Sequence, residues 1–149
     1  MKKLLLAVML FMAASAVAGT KTLINVDKNG VGLQGYDPVA YFTQNRPVPG
    51  NPQFQSTYNG VKYYFVSQDD KNTFDSNPSK YEPQFGGYCA YAASQGHTAP
   101  IQVGAFQIID GRLLLQYSES VRDKFNKDTQ GNLKKADANW PGLVEKYGK

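Results

Sequence analysis

Cys89 is the only cysteine of this 149-residue chain and His97 its only histidine, and they stand close together in FGGYCAYAASQGH, residues 85–97. A thiolate and an imidazole are ligands for soft and borderline metal ions, and a thiolate is also a nucleophile. One Cys and one His do not make a structural zinc site, which needs four ligands at spacings such as C-x2-C or H-x3–5-H. Copper(I) accepts fewer. The pair therefore predicts a soft-metal site, copper first, if the chain turns back at Gly96 so that Cys89 and His97 meet. Asp37, Asp70 or Tyr88 are the candidates to complete it. A second reading is thiol redox chemistry, in which Cys89 attacks a peroxide or disulfide and is restored by another thiol. Without a C-x-x-C, disulfide exchange must then run through mixed disulfides. The third is a packed sulfur, because free cysteine is among the most buried residue types. His97, between Gly96 and Thr98, is in that case an ordinary solvated loop residue.

The compartment bears on this choice. The chain opens MKKLLLAVMLFMAASAVAGT, with Lys2 and Lys3 before an apolar run, Leu4 to Met12, and an A-x-A site at Ala16-Val17-Ala18. That pattern predicts a signal peptide over residues 1–18, cut after Ala18, and a periplasmic or secreted domain over residues 19–149. A membrane anchor needs about 20 apolar residues, and small and polar residues arrive too soon after Met12, so no stable membrane insertion is expected after cleavage. Met1, Met9 and Met12, the three methionines, leave with the leader, and with them any thioether ligand. Half of the formal charge of +4 belongs to Lys2 and Lys3, so nothing in the charge argues for nucleic acid. A lone thiol in an oxidising compartment has no internal partner, which leaves it buried, reactive or bonded to something else.

Two hairpins must position the site. Asn59-Gly60 separates the β-prone arms of FQSTYNGVKYYFV, and Asp110-Gly111 those of AFQIIDGRLLLQYS; both are turn pairs suited to positive φ. Ser67 is the expected N-cap of a helix in SQDDKNTFDSN, with Asp70 completing a capping box, and Ser118 of one in SESVRDKFNKD, with Val121 and Phe125 on one face. Gly86-Gly87 predicts a helix start at Tyr88, running to about Gln95 with Gly96 as a left-handed cap. Cys89 then lies in the first turn, where free N–H groups favour a thiolate. Pro141 is expected to break any helix around Trp140, and NRPVPGNP, residues 45–52, reads as a loop. No internal repeat is expected. Tyr63, Phe65, Tyr81, Phe85, Tyr88 and Tyr91 read as core rather than as a stacking surface. The fold class is α+β, a small single domain with two β-hairpins forming an antiparallel sheet packed with short helices. No G-x-S-x-G, phosphate loop or H-E-x-x-H is present, which removes the commonest hydrolase, kinase and metalloprotease chemistries.

The stretch YNGVKYYFVSQDDKNTFDSNPSKY resembles the YHS domain, whose pattern joins a Tyr-x-Gly hairpin, Tyr-x-Phe-x-Ser, a short helix with a Phe, and Asn-Pro-x-Lys-Tyr. The preceding GYDPVAYF and the following PQFGGYCAYAASQG, DGRLLLQY and ADANWP are similar to a secreted branch of that family carrying GGYCAYA. The resemblance implies heavy-metal binding. Its usual thiols, in Asp-Pro-Val-Cys and Phe-Cys-Ser-x-x-Cys, fall here on Ala40, Val66 and Asp70, so that ligand set is not carried over. The secreted branch offers Cys89 instead, in Gly86-Gly87-Tyr88-Cys89-Ala90, while His97 lies outside its motif. The expectation is a periplasmic, non-catalytic accessory protein. It binds a soft metal through Cys89 and His97 and serves a metal-transport or redox partner protein; the alternatives are a thiol redox protein or an interaction module with a packed Cys89.

Overall fold

The structure is a computed structural model that describes residues 19–149, so the expected signal peptide lies outside the described residues. Both predicted hairpins form. Strands β1 (Asn51–Tyr58) and β2 (Val61–Phe65) pair antiparallel, as do β3 (Gln102–Ile109) and β4 (Arg112–Gln116). Their turns bend through left-handed pairs, Asn59 (φ 48°) with Gly60 (φ 81°) and Asp110 (φ 53°) with Gly111 (φ 73°), the twist that suits two-residue hairpins. The four strands stay in two separate two-stranded sheets. The outer edges of β2 and β4 are taken by incoming chain: Gly32 N–H donates to the Lys62 carbonyl and Gln84 N–H to the Leu113 carbonyl. Those edges are therefore closed to the other hairpin.

Six helices cover the hairpins: α1 (Pro38–Thr43), α2 (Gln68–Ser76), α3 (Pro78–Tyr81), α4 (Ala90–Ser94), α5 (Glu119–Asn126) and α6 (Thr129–Tyr147). The α+β class stands. Ser67 Oγ accepts from Asp70 N–H at 3.1 Å and Ser118 Oγ from Val121 N–H at 3.2 Å, as their sequences predict. Two helix expectations are corrected. Helix α6 runs straight through Pro141, because Leu143 beyond the proline is buried with Leu133 and Ala136, and Pro141 is exposed, where water can serve the carbonyl it leaves free. Helix α4 begins later than expected: Phe85–Gly87 forms a tight turn with Phe85, Gly86 and Gly87 all at positive φ, and Cys89 is the N-cap rather than part of the first turn.

The structure also reveals an internal repeat, against expectation. In the first half a left-handed turn (Leu33–Gly35) leads through Tyr36 and Asp37 into α1, then into the β1–β2 hairpin, then through Ser67 into α2. In the second half a left-handed turn (Phe85–Gly87) leads through Tyr88 and Cys89 into α4, then into the β3–β4 hairpin, then through Ser118 into α5. Both hairpins carry an irregularity in the first strand at the same place, between Asn51 and Gln55 and between Gln102 and Phe106. The backbone bonds correspond as well. Asp37 N–H donates to the Val48 carbonyl and Cys89 N–H to the Ala99 carbonyl. Phe74 and Phe125, the corresponding residues of α2 and α5, are 1% and 0% exposed.

The halves share one core and divide another. Tyr41, Phe65, Phe74, Cys89, Leu113 and Leu115 belong to a cluster drawn from both, and the Tyr41 ring meets Phe106 edge-on at 4.8 Å. The second cluster gathers Phe85, Leu114, Phe125, Leu133 and Leu143 under α6. Tyr63, Phe65, Tyr81 and Phe85 are buried as expected, while Tyr88 and Tyr91 are half-buried. No helix among the described residues is long and apolar enough to cross a membrane.

Candidate functional site

Each half closes with the same bracket, in which the residue before a short helix reaches across to the end of the second strand. In the first half the bracket is Asp37. Its Oδ1 accepts from Val39 N–H (2.8 Å) and Ala40 N–H (3.3 Å), capping α1, and its Oδ2 accepts from Val66 N–H (2.9 Å), just past β2. Burial, and then the neighbouring Asp70 carboxyl, push Asp37 up to about 7. One oxygen of Asp70, Oδ2, is buried without a partner.

In the second half the bracket is Cys89, 1% exposed. Its Sγ accepts from Tyr117 N–H at 3.3 Å, as Asp37 accepts from Val66. The S–H donates to Gln116 Oε1 at 3.3 Å, and the same oxygen accepts from Tyr91 N–H at 3.0 Å. The sulfur makes no bond to the amides of α4, which is only five residues long. A thiolate stabilised by a helix terminus is therefore not what this geometry provides. The sulfur uses both a donor and an acceptor bond. Gln116 is itself fully buried and its Nε2 has no partner, so the amide lies beside the sulfur with unused donor capacity.

Cys89 and His97 nevertheless reach one cavity of about 280 Å³. Ala92, Ala99 and Val121 supply aliphatic wall, and Tyr91 and Tyr117 the rest. The chain turns back as the sequence predicts: Gly96, at φ 85°, ends α4, and His97 N–H donates to the Ala92 carbonyl at 3.0 Å. That closure brings exposed His97 to the rim of a cavity with buried Cys89 at its base. The three suggested auxiliary ligands do not come with them. Asp37 and Asp70 belong to the other bracket, and Tyr88 Oη donates to the Ile24 carbonyl at 3.2 Å. Among the described residues no group of three or more His, Cys, Asp or Glu is gathered to hold a metal ion. The donor set suits an ion content with two ligands and does not suit a four-ligand cage.

Gln116, Tyr117 and Val121 are neighbours of Cys89 that sequence reasoning missed. A signal existed in the repeat, since Tyr117 and Val121 stand in the second half where Val66 and Asp70 stand in the first. Ala92 likewise matches Ala40. The cavity over Cys89 is thus the second-half counterpart of the region holding Ala40, Val66 and Asp70.

Comparison with known proteins gives one positive result: residues 39–84 match the family model described as YHS domain, a family associated with metal handling. No curated protein and no solved structure matches the chain. The matched segment runs from within α1 to just before the second left-handed turn, and so covers the first half of the repeat from α1 onward, without its opening turn and Asp37, and stops short of Cys89.

Proposed function

We propose, from the match of residues 39–84 to the YHS domain and the cavity over Cys89, that the protein carries a soft metal ion, copper(I) first, in that cavity, with Cys89 Sγ and the His97 imidazole as ligands. The observation that carries this reading is that the only thiol and the only imidazole of the chain line one cavity. Apolar walls favour a soft ion of low charge that needs few ligands over a hard ion that demands oxygens. Binding replaces the S–H proton by the metal, and that proton leaves to solvent. The thiolate so formed no longer donates to Gln116 Oε1. Gln116 Oε1 keeps its bond from Tyr91 N–H. Two ligands leave the ion open to a third donor, which suits transfer to a metal-transport or redox partner protein over storage. The leader pattern of residues 1–18 supports a periplasmic or secreted setting. No catalytic residue is part of this reading.

A second reading rests on the equivalence of Cys89 with Asp37. Both are fully buried brackets that capture the N–H just past the second strand of their hairpin. On this reading Cys89 is packed, and the domain is a non-catalytic interaction module. Anaerobic titration of reduced protein with copper(I) against a competing chelator separates the two. One-to-one binding that is lost in Cys89→Ser and weakened in His97→Ala supports carriage. Absence of binding in the wild type, with alkylation of Cys89 only after denaturation, supports the packed thiol. Fast alkylation without copper binding would instead point to thiol redox chemistry.

A further inference from the structure

A second cleft, of about 330 Å³, lies between residues 21–24, the tip of the β1–β2 hairpin, the connector 82–86 and α6, and the Cys89 site makes no use of it. Its charges are unequally satisfied. Lys21 pairs with Glu145 at 2.8 Å, and Arg112 forks onto Asp137 at 2.6 and 2.9 Å while its Nε donates to Gln84 Oε1. Glu82 has no cation among the described residues, and its one hydrogen bond is a long one from Asn59 Nδ2 at 3.4 Å. It is nonetheless half-buried, and burial raises its carboxyl above the usual range. A carboxylate withdrawn from water without a counter-ion is expensive unless something completes it.

Part of the wall beside Glu82 is aromatic. Tyr63, Phe85 and Trp140 all line the cleft, and Trp140 meets Phe85 edge-on at 5.8 Å. The Phe85 ring already has the Arg112 guanidinium over it at 5.7 Å. Indole and phenol faces attract cations, most strongly where water is partly excluded. A half-buried acid beside aromatic rings, with the local arginine and lysine already paired, has the composition of a receptor for positive charge.

We propose that this cleft binds a small organic cation, an ammonium or quaternary ammonium group, with Glu82 as its counter-ion and Trp140 and Tyr63 as its walls. The site is separate from the Cys89 cavity and stands or falls without it.

Trp140 is the only tryptophan of the chain and lines this cleft, so tryptophan emission comes from the site. The test titrates the protein with choline chloride and, separately, with 3,3-dimethylbutan-1-ol, the neutral isostere of choline, following Trp140 fluorescence. Saturable change with choline, about tenfold or more weaker with the isostere and about tenfold or more weaker in Glu82→Gln, is the expected result. Cys89→Ser should bind choline as the wild type does. Equal responses to choline and its isostere, no saturable response, or wild-type binding by Glu82→Gln would each overturn the proposal. The comparison of choline with the isostere uses wild-type protein, so it decides even if the variant folds poorly.

Discussion

Raising the pH from about 4 to about 8 should remove a component of the domain's stability that Asp37 supplies, and Asp37→Asn should abolish that component. Asp37 exposes no surface, and its carboxyl is raised from 3.8 to about 7, first by burial and then by Asp70. The folded protein thus keeps a proton that the unfolded chain gives up. The stabilisation is complete below pH 3.8, declines as pH rises, and is exhausted once pH passes about 7. Roughly three pH units at about 1.4 kcal/mol each set a ceiling of about 4 kcal/mol. Asp37 lies under a thin cover, since Val66, whose N–H it accepts, is 42% exposed, and solvent screening lowers the expected loss to about 2–4 kcal/mol. Asparagine is neutral throughout. It can still cap α1 through one oxygen but turns an amide toward Val66 N–H, which costs about 1–2 kcal/mol at acid pH. Urea unfolding of both proteins across the range gives the difference in stability, from which groups titrating alike in both, including Glu82, cancel. The expected difference moves steadily in favour of Asp37→Asn up to about pH 7 and then levels. A difference that stays constant from about pH 4 to about pH 8 would refute the protonated-bracket reasoning.

Cys89→Ala should cost about 1–3 kcal/mol, because it strips the partner from Tyr117 N–H and one of two from Gln116 Oε1. Cys89→Ser, which keeps a donor and an acceptor, should cost clearly less; thermal unfolding in the reverse order would contradict the polar bracket. Gly86→Ala should cost at least about 2 kcal/mol, since φ there is +60° and the new Cβ would run into the Leu23 carbonyl. Gly104→Ala, whose Cβ meets nothing, serves as the control and should lose markedly less in the same denaturation assay.

What the sequence made legible was local. Asn59-Gly60, Asp110-Gly111, Ser67, Ser118 and Gly96 each declare their conformation through their own side chains or lack of one, and each adopts it. What it hid was decided at a distance. Pro141 breaks a helix on local rules, but the burial of Leu143 beyond it keeps the last turn in place. The α4 start was misplaced because Phe85, a bulky residue, takes a left-handed φ of 54° that its type disfavours, an arrangement supported by the Tyr88 N–H bond to the Phe85 carbonyl. The return of the chain at Gly96, which puts His97 on the cavity that Cys89 also lines, followed from the sequence. Gln116 as the partner of Cys89 did not, because cross-strand neighbours have no signature within either segment. The repeat was visible in principle, with Asn59-Gly60, Ser67, Lys71 and Phe74 matched by Asp110-Gly111, Ser118, Arg122 and Phe125. It escaped notice because the buried identities diverge: Phe65 in one half is Gln116 in the other, and Asp37 is Cys89.

The paired brackets give the molecule an internal reference. Two copies of one backbone frame differ at their centre by oxygen against sulfur, so the same chain holds a hard donor and a soft one in matched, buried settings. A species that recognises the frame alone should select both halves equally, and one that seeks polarisable donors should select the second and ignore the first. Selectivity can therefore be measured within a single polypeptide, at one concentration and in one buffer, by comparing its own two halves.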